Sequence, residues 1–195
     1  MAPIQAIYWL WNAWVVSWVI AALWSGRTAV RGPRWSQFWR DVLAMSGAAI
    51  LIGFSAPFPG SRGLLAPLWR TPTSMAWGLV ALTATGFAIC WWARLHLGQL
   101  WSGVTSRKAD HRIVDTGPYR LVRHPIYTGL LTALLAMALL KGTGAAILGL
   151  AVAAAGLTLR ARLEEQFLRA ELGPEAYDAY SRRTPMLLPF APRIG

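Results

Sequence analysis

Apolar positions in this chain come in long runs, broken by short polar stretches that hold most of its charge. A spanning helix needs roughly 20 mostly apolar residues, because the hydrocarbon layer of a bilayer is about 30 Å thick. Three runs meet that length: Ile4–Trp24, Val42–Pro57 with its flanks, and Ser74–Trp92. Two shorter runs, Tyr127–Leu140 and Gly144–Leu159, are joined by Lys141-Gly142-Thr143, a link too tight for anything but antiparallel neighbours. The pattern predicts an all-α, polytopic integral membrane protein with about five transmembrane helices, the last two a helical hairpin. A single domain is expected over 1–195, with three spans in 1–95 and the polar chemistry in 96–195.

Inside the runs the patterns speak of packing. Trp11, Trp14 and Trp18 form a stripe at helical spacing. Ala145, Gly149 and Ala153 recur every four residues, a small face against which another helix can approach closely. Trp9, Trp24, Trp39, Trp69, Trp91 and Trp92 fall near predicted span ends, where indoles favour the interface.

Composition sharpens this picture. Of 195 residues 55% are hydrophobic and 14% charged, whereas soluble domains carry about 25% charged residues. A soluble nucleotide-binding enzyme, a disulfide scaffold and a disordered tail are thereby excluded. The single cysteine, Cys90, lies in an apolar run and is expected to be a small core residue. The net charge of +11 raises nucleic acid as a partner until the charges are placed. Sixteen of the 19 Lys and Arg fall after the first, third and fifth runs, against Arg62, Arg70 and Lys141 in the alternate loops. Positive loops face the cytoplasm, so the N-terminus is expected outside and the C-terminus inside a multi-pass protein of the cell's inner membrane. The basicity is then a matter of topology and of attraction to anionic membrane lipids, and nucleic acid is not expected. No Lys or Arg precedes the first run, so it lacks the charged start of a signal peptide and is expected to remain as an anchor.

Polarity gathers on the predicted cytoplasmic side. Seven of the eight carboxylates and all three histidines lie from His96 onward, in two segments, 96–127 and 160–190. The first contains Gly117-Pro118, a turn, and then Tyr119, Arg120, Arg123, His124, Pro125 and Tyr127. Pro125 suits the first turn of a helix, which places His124 and Tyr127 beside unpaired amide donors, a place for a carboxylate or another anion. Each of these residues taken singly also fits an ordinary interfacial anchor or a solvated cap. In the second segment Arg160 and Glu164 are four apart and share a helix face. On a surface such a pair contributes only a few tenths of a kcal/mol, while near the hydrocarbon boundary charged groups tend to face an interior cavity. His96, His111 and His124 are spaced 15 and 13 apart, which matches no common ligand pattern, and no metal is expected. There is no GxGxxG after a strand, no Walker loop, no GxSxG and no HExxH.

These residues resemble the isoprenylcysteine carboxyl methyltransferase family, integral membrane enzymes that share this region with phospholipid N-methyltransferases. The resemblance runs from His111 to the end, through Gly117-Pro118-Tyr119, Arg123-His124-Pro125-x-Tyr127-x-Gly129, Glu164-Glu165-x-x-Leu168 and Gly173-x-x-x-Tyr177-x-x-Tyr180. It implies a cytoplasmic-facing pocket for S-adenosyl-L-methionine, held by His111, Arg112, Ile113 and Val114, by Tyr119, by His124, Pro125, Ile126 and Tyr127, and by Glu164. It places Arg160, four residues before that Glu, as the catalytic residue on the substrate side. The contact of a family Gln upstream of His111 is left unassigned, because Val104-Thr105 stands there in a segment of different length.

The residue types suit that chemistry. Methyl transfer from a sulfonium is an in-line displacement, helped mainly by positioning and water exclusion. A cationic sulfonium calls for a carboxylate or aromatic faces, which Glu164, Tyr119 and Tyr127 offer. The lipophilic substrate is expected to enter from the bilayer. A carboxylate acceptor needs no base and an Arg such as Arg160 to hold it, whereas an amine headgroup needs a base such as Glu165 or His124. Arg160 tips the balance towards an isoprenylcysteine-like or other hydrophobic carboxylate, with lipophilic thiols and phenols still open and an amine-lipid N-methyltransferase as the alternative. A non-enzymatic membrane protein of the same fold and a sterol-type reductase remain open at this point.

Overall fold

The computed structural model describes residues 1–23, 28–31, 34–53, 60–98, 106–108 and 113–190. His111, Arg112 and the Val104-Thr105 pair lie outside them. The described residues form six α-helices in chain order: α1 (Pro3–Ala22), α2 (Arg34–Gly53), α3 (Thr73–Leu97), α4 (Pro125–Lys141), α5 (Gly144–Leu172) and α6 (Pro174–Arg183). The chain is an all-α membrane protein. Among the described residues three helices, α1, α3 and α5, are long and apolar enough to cross a membrane, and α4 is a shorter apolar helix of 17 residues.

Two boundaries differ from the apolar runs for one reason. The second run starts at Val42, but α2 starts at Arg34; the fifth stops at Leu159, but α5 continues to Leu172. Hydrophobicity stops where charge begins, whereas a helix stops only where its backbone is broken. Neither Arg40-Asp41 nor Arg160 contains a breaker, so both helices carry their charged turns out of the apolar zone. At 29 residues α5 is about 43 Å long, longer than the hydrocarbon layer, and its last turns are the polar ones. Gly173, at φ +96°, ends it before Pro174 opens α6.

A second difference is a two-stranded antiparallel ribbon, β1 (Thr28–Arg31) with β2 (Ser106–Lys108), which the apolar pattern did not foresee. Strands of four and three residues are too short for a period to show. The ribbon joins the α1–α2 connection to the α3–α4 connection, so both lie at the same end of the bundle.

Glycines decide which helices meet. The small face of α5 packs on α2, as its spacing predicts: a Cβ on Gly149 would lie 2.8 Å from the Leu51 amide, and one on Gly156 2.5 Å from the Ala44 amide. On the other side Gly86 of α3 and Gly129 of α4 cross backbone to backbone, and the Cys90 Sγ bonds to the Ile126 carbonyl at 3.3 Å. Although Gly142-Thr143 joins α4 to α5 as a tight antiparallel hairpin, α4 therefore lies mainly along α3 and α5 mainly along α2. The tryptophan stripe of α1 packs on α3, with Trp11 and Trp14 against Phe87 and Trp18 against Trp91. Ile7, Trp11, Leu51, Phe87, Leu134 and Met137 form the centre of the core. Val15, Val16, Val19 and Ile20 stay exposed on the outer side of α1, as a lipid-facing surface requires.

At the end of the bundle away from the ribbon, Lys141 is buried rather than free in a loop. Its Nζ donates to the carbonyls of Leu51 at 2.6 Å and Ile52 at 2.9 Å, closing the C-terminus of α2. Arg94, fully buried, donates to Gly98 O and Ala21 O and ties the ends of α1 and α3 together at the ribbon end.

Candidate active site

The polar residues of the ribbon end converge where α2, α4 and α5 meet. Gly117, in the left-handed region at φ +57°, opens the turn Gly117–Arg120. Its missing Cβ leaves room for the His96 imidazole, which would otherwise lie 2.7 Å away. His96 bonds through Nε2 to Thr116 Oγ1 at 2.9 Å and stacks on Tyr119. Tyr119 is buried, and its carbonyl accepts from the Tyr180 hydroxyl of α6 at 2.8 Å. Burial first, and then the neighbouring Tyr180 and the Glu164 charge, raise the Tyr119 phenol far above its ordinary range, so it is a neutral donor.

Pro125 then starts α4 with His124 at its N-cap. The His124 amide is not among the donors left for an anion: it bonds to Met186 O at 3.1 Å, and Arg123 N bonds to Pro185 O at 2.9 Å. Thr128 Oγ1 donates to Leu187 O at 2.6 Å. Residues 184–187 thus run as a strap across the start of α4. Here the structure narrows the sequence reading, which left that helix end open.

One turn further, the Tyr127 hydroxyl donates to Glu164 Oε1 at 2.6 Å. The same oxygen accepts from Arg160 Nε at 3.3 Å, the pairing that the i,i+4 spacing predicts. His124 Nδ1 stands 3.6 Å from Glu164 Oε2, and its ring lies parallel to that of Tyr127, with centroids 5.4 Å apart. The Arg160 guanidinium is 6.0 Å from the Tyr127 ring centre. Arg160 Nη1 also donates to Asp41 Oδ1 on α2.

Beside this group Arg123 holds Glu165 with two bonds, Nε to Oε1 at 2.6 Å and Nη2 to Oε2 at 3.1 Å. Its Nη1 donates to the carbonyls of Ser181 at 2.9 Å and Thr184 at 2.6 Å. His124 Nε2 reaches Glu165 Oε1 at 3.2 Å. Glu165 is therefore tied twice, and a carboxylate so held is a poor proton acceptor.

Of the residues singled out from the sequence, the fold brings His124, Tyr127, Arg160 and Glu164 into direct contact and sets Tyr119 within electrostatic reach of Glu164. Pro125 is buried in the first turn of α4, and the Ile126 carbonyl faces Cys90 of α3. Ile113 and Val114 lie half-buried in the irregular stretch before the turn, while His111 and Arg112 fall outside the described residues. Sequence reading missed Asp41 and gave Arg123 and His96 no role. A signal for Asp41 was present: it is the one carboxylate in the first 95 residues, beside an apolar run.

Residues 79–170, from α3 through the polar cluster to α5, match the isoprenylcysteine carboxyl methyltransferase (ICMT) family model. The match covers somewhat less than half of the chain and is a likeness to that family. The ICMT match begins well before His111, where the resemblance was read, so α3 is part of the family unit. It ends before Tyr177 and Tyr180 of α6. The cobalt-zinc-cadmium resistance protein CzcN of Cupriavidus metallidurans is 29% identical over 153 residues, covering 77% of this chain and 62% of that protein. The chain thus spans under two thirds of the length of this curated relative. The likeness to the ICMT family and the three long apolar helices among the described residues make it an integral membrane protein.

Proposed function

We propose that this protein is an S-adenosylmethionine-dependent methyltransferase that modifies a lipophilic acceptor, a hydrophobic carboxylate of the isoprenylcysteine kind. The observation that carries the reading is Glu164, a carboxylate met by Tyr127, His124 and Arg160 at the charged end of an otherwise apolar bundle. The match to the ICMT family model supports the reaction class.

The residues fit the cofactor. Three carboxylates, Asp41, Glu164 and Glu165, surround the guanidinium groups of Arg160 and Arg123, which suits a ligand carrying positive charge. The parallel His124 and Tyr127 rings present aromatic faces beside Glu164. S-adenosylmethionine supplies a methyl group on a sulfonium that displaces easily. Glu164 would bind the positive end, kept in place by the Tyr127 hydroxyl, and Tyr119 would contribute a neutral donor. Arg160 would hold the acceptor's carboxylate. No proton has to be removed from such an acceptor, which agrees with Glu165 being tied by Arg123 and His124; an amine acceptor would need that base free. Residues 111–114 complete the proposed cofactor set.

The proposed topology puts this end of the bundle in the cytoplasm and the membrane as the cell's inner membrane. Single cysteines at Arg62 and Arg182, both exposed, test it: in intact cells a membrane-impermeant maleimide should label only the first. The name of the C. metallidurans relative specifies a resistance and no reaction, so growth of a deletion strain under cobalt, zinc or cadmium asks whether this chain shares it.

The deciding experiment is titration of purified protein with S-adenosylhomocysteine, followed by incubation with methyl-labelled cofactor and total lipid extract. Saturable binding and a labelled, base-labile lipid ester are expected. No thermal shift at millimolar ligand would overturn the reading, and a labelled amine lipid would replace the acceptor class.

A further inference from the structure

Asp41 stands apart from the other carboxylates. It is on α2, outside residues 79–170, yet its Oδ1 accepts from Arg160 Nη1 across 119 positions. The register is imposed by packing. Gly156 meets Ala44 and Ala153 meets Gly47 along the antiparallel α2–α5 pair, and continuing that register by one turn sets Asp41 opposite Arg160. Because those contacts are backbone to backbone, sliding either helix would cost several clashes.

Arg160 is thus shared between two carboxylates that differ in how they are held. Glu164 is also bound by Tyr127 and His124, with 22% of its side chain exposed; Asp41 is 32% exposed, at the rim. An acceptor carboxylate arriving at Arg160 would be the third around one guanidinium. Like charges so close are costly where water is partly excluded, and the one able to leave for solvent at least cost is Asp41.

We propose that Asp41 is a resident stand-in for the acceptor's carboxylate, exchanged for it on Arg160, and that it sets how strongly anionic lipophilic acceptors bind relative to neutral ones. This rests on the reading of Arg160 as the acceptor-side residue. A neutral acceptor leaves the Asp41–Arg160 pair intact and does not feel the exchange.

The test is saturation binding of labelled palmitate and labelled hexadecanol to the full-length protein in zwitterionic nanodiscs, with empty nanodiscs subtracted. In Asp41→Asn, which keeps the side-chain shape and removes the charge, palmitate should bind at least about fivefold tighter, the gain expected from losing a modest charge competition. Hexadecanol affinity should not change, and Asp41→Glu should restore the wild-type palmitate value. Asp41→Ala is the second variant, with the same expected direction. Palmitate binding that is unchanged or weaker in both charge-removing variants, or that rises equally for hexadecanol, overturns the proposal. A merely structural Asp41 predicts loss and not gain. S-adenosylhomocysteine titration of the same preparations keeps the two readings separate: absence of binding sinks the methyltransferase assignment, while the palmitate-to-hexadecanol ratio judges Asp41 alone.

Discussion

The Tyr127 hydroxyl donates to Glu164 Oε1 at 2.6 Å, joining the first turn of α4 to the point where α5 turns polar, 37 positions away. A hydrogen bond to a charged group contributes about 1.5–3 kcal/mol, and here it also aims the carboxylate. Glu164→Gln should reduce S-adenosylmethionine affinity at least about a hundredfold, and Tyr127→Phe by about tenfold, while both proteins melt near the wild type. Isothermal titration reads both; unchanged affinity in Glu164→Gln would remove that residue from the cofactor site.

Arg160 faces Asp41 as well as Glu164, so its loss should separate two functions. Arg160→Ala is expected to keep cofactor affinity within about threefold and to lower acceptor turnover by roughly a hundredfold or more. Equal loss of both in titration and label transfer would mean that Arg160 belongs to the cofactor side.

Arg123 is the bolt of the C-terminal strap. Its guanidinium takes Glu165 and the carbonyls of Ser181 and Thr184, with only 8% of the side chain exposed. Arg123→Met leaves a mostly buried carboxylate without its main partner, a loss of about 3 kcal/mol. A lower melting temperature and faster trypsin cleavage at Arg182 and Arg183 are expected. Cleavage at the wild-type rate would show that the strap is held by its backbone bonds alone.

Gly129 sits where α3 and α4 touch. A Cβ there would meet the Gly86 carbonyl, and Cys90 Sγ at 2.7 Å. Gly129→Val should cost about 1–3 kcal/mol, the range for overpacking a tight contact, and displace Tyr127 and His124 with α4. Gly78, with open space around it, is the control: Gly78→Val should be nearly neutral in the same unfolding assay.

Tyr119, Tyr177 and Tyr180 are all raised well above the ordinary phenol range, chiefly by burial. A group that holds its proton more tightly when folded contributes fully below its unfolded value of about 10, and loses that contribution as pH rises beyond it. Stability should therefore be flat with respect to these groups up to about pH 10 and then fall, by about 1.4 kcal/mol per pH unit for each tyrosine. Tyr180→Phe should shallow that alkaline slope by up to about 1.4 kcal/mol per pH unit, while costing roughly 1 kcal/mol at neutral pH through its lost bond to the Tyr119 carbonyl. Thermal melts between pH 7 and 11 measure both, and an unchanged slope would deny Tyr180 its buried setting.

Much of this protein was legible from its sequence. The apolar runs predicted a helical membrane protein, Gly142-Thr143 predicted a tight antiparallel turn, and the small face of α5 predicted a close neighbour. The i,i+4 spacing predicted that Arg160 and Glu164 would meet. The motif from Gly117 to Gly129 pointed to the family. These are local properties: a helix forms from neighbours in sequence, and spacing along one helix fixes which side chains share a face.

What the sequence left open depended on which helix lies beside which, and at what height. Arg123 closing on Glu165, the strap covering the start of α4, and Asp41 reaching Arg160 across 119 positions all follow from pairwise packing. Lipid contact satisfies an apolar helix face as well as protein does, so hydrophobicity selects no partner. The choice falls to glycine surfaces that let backbones touch, and those surfaces are matched only in three dimensions.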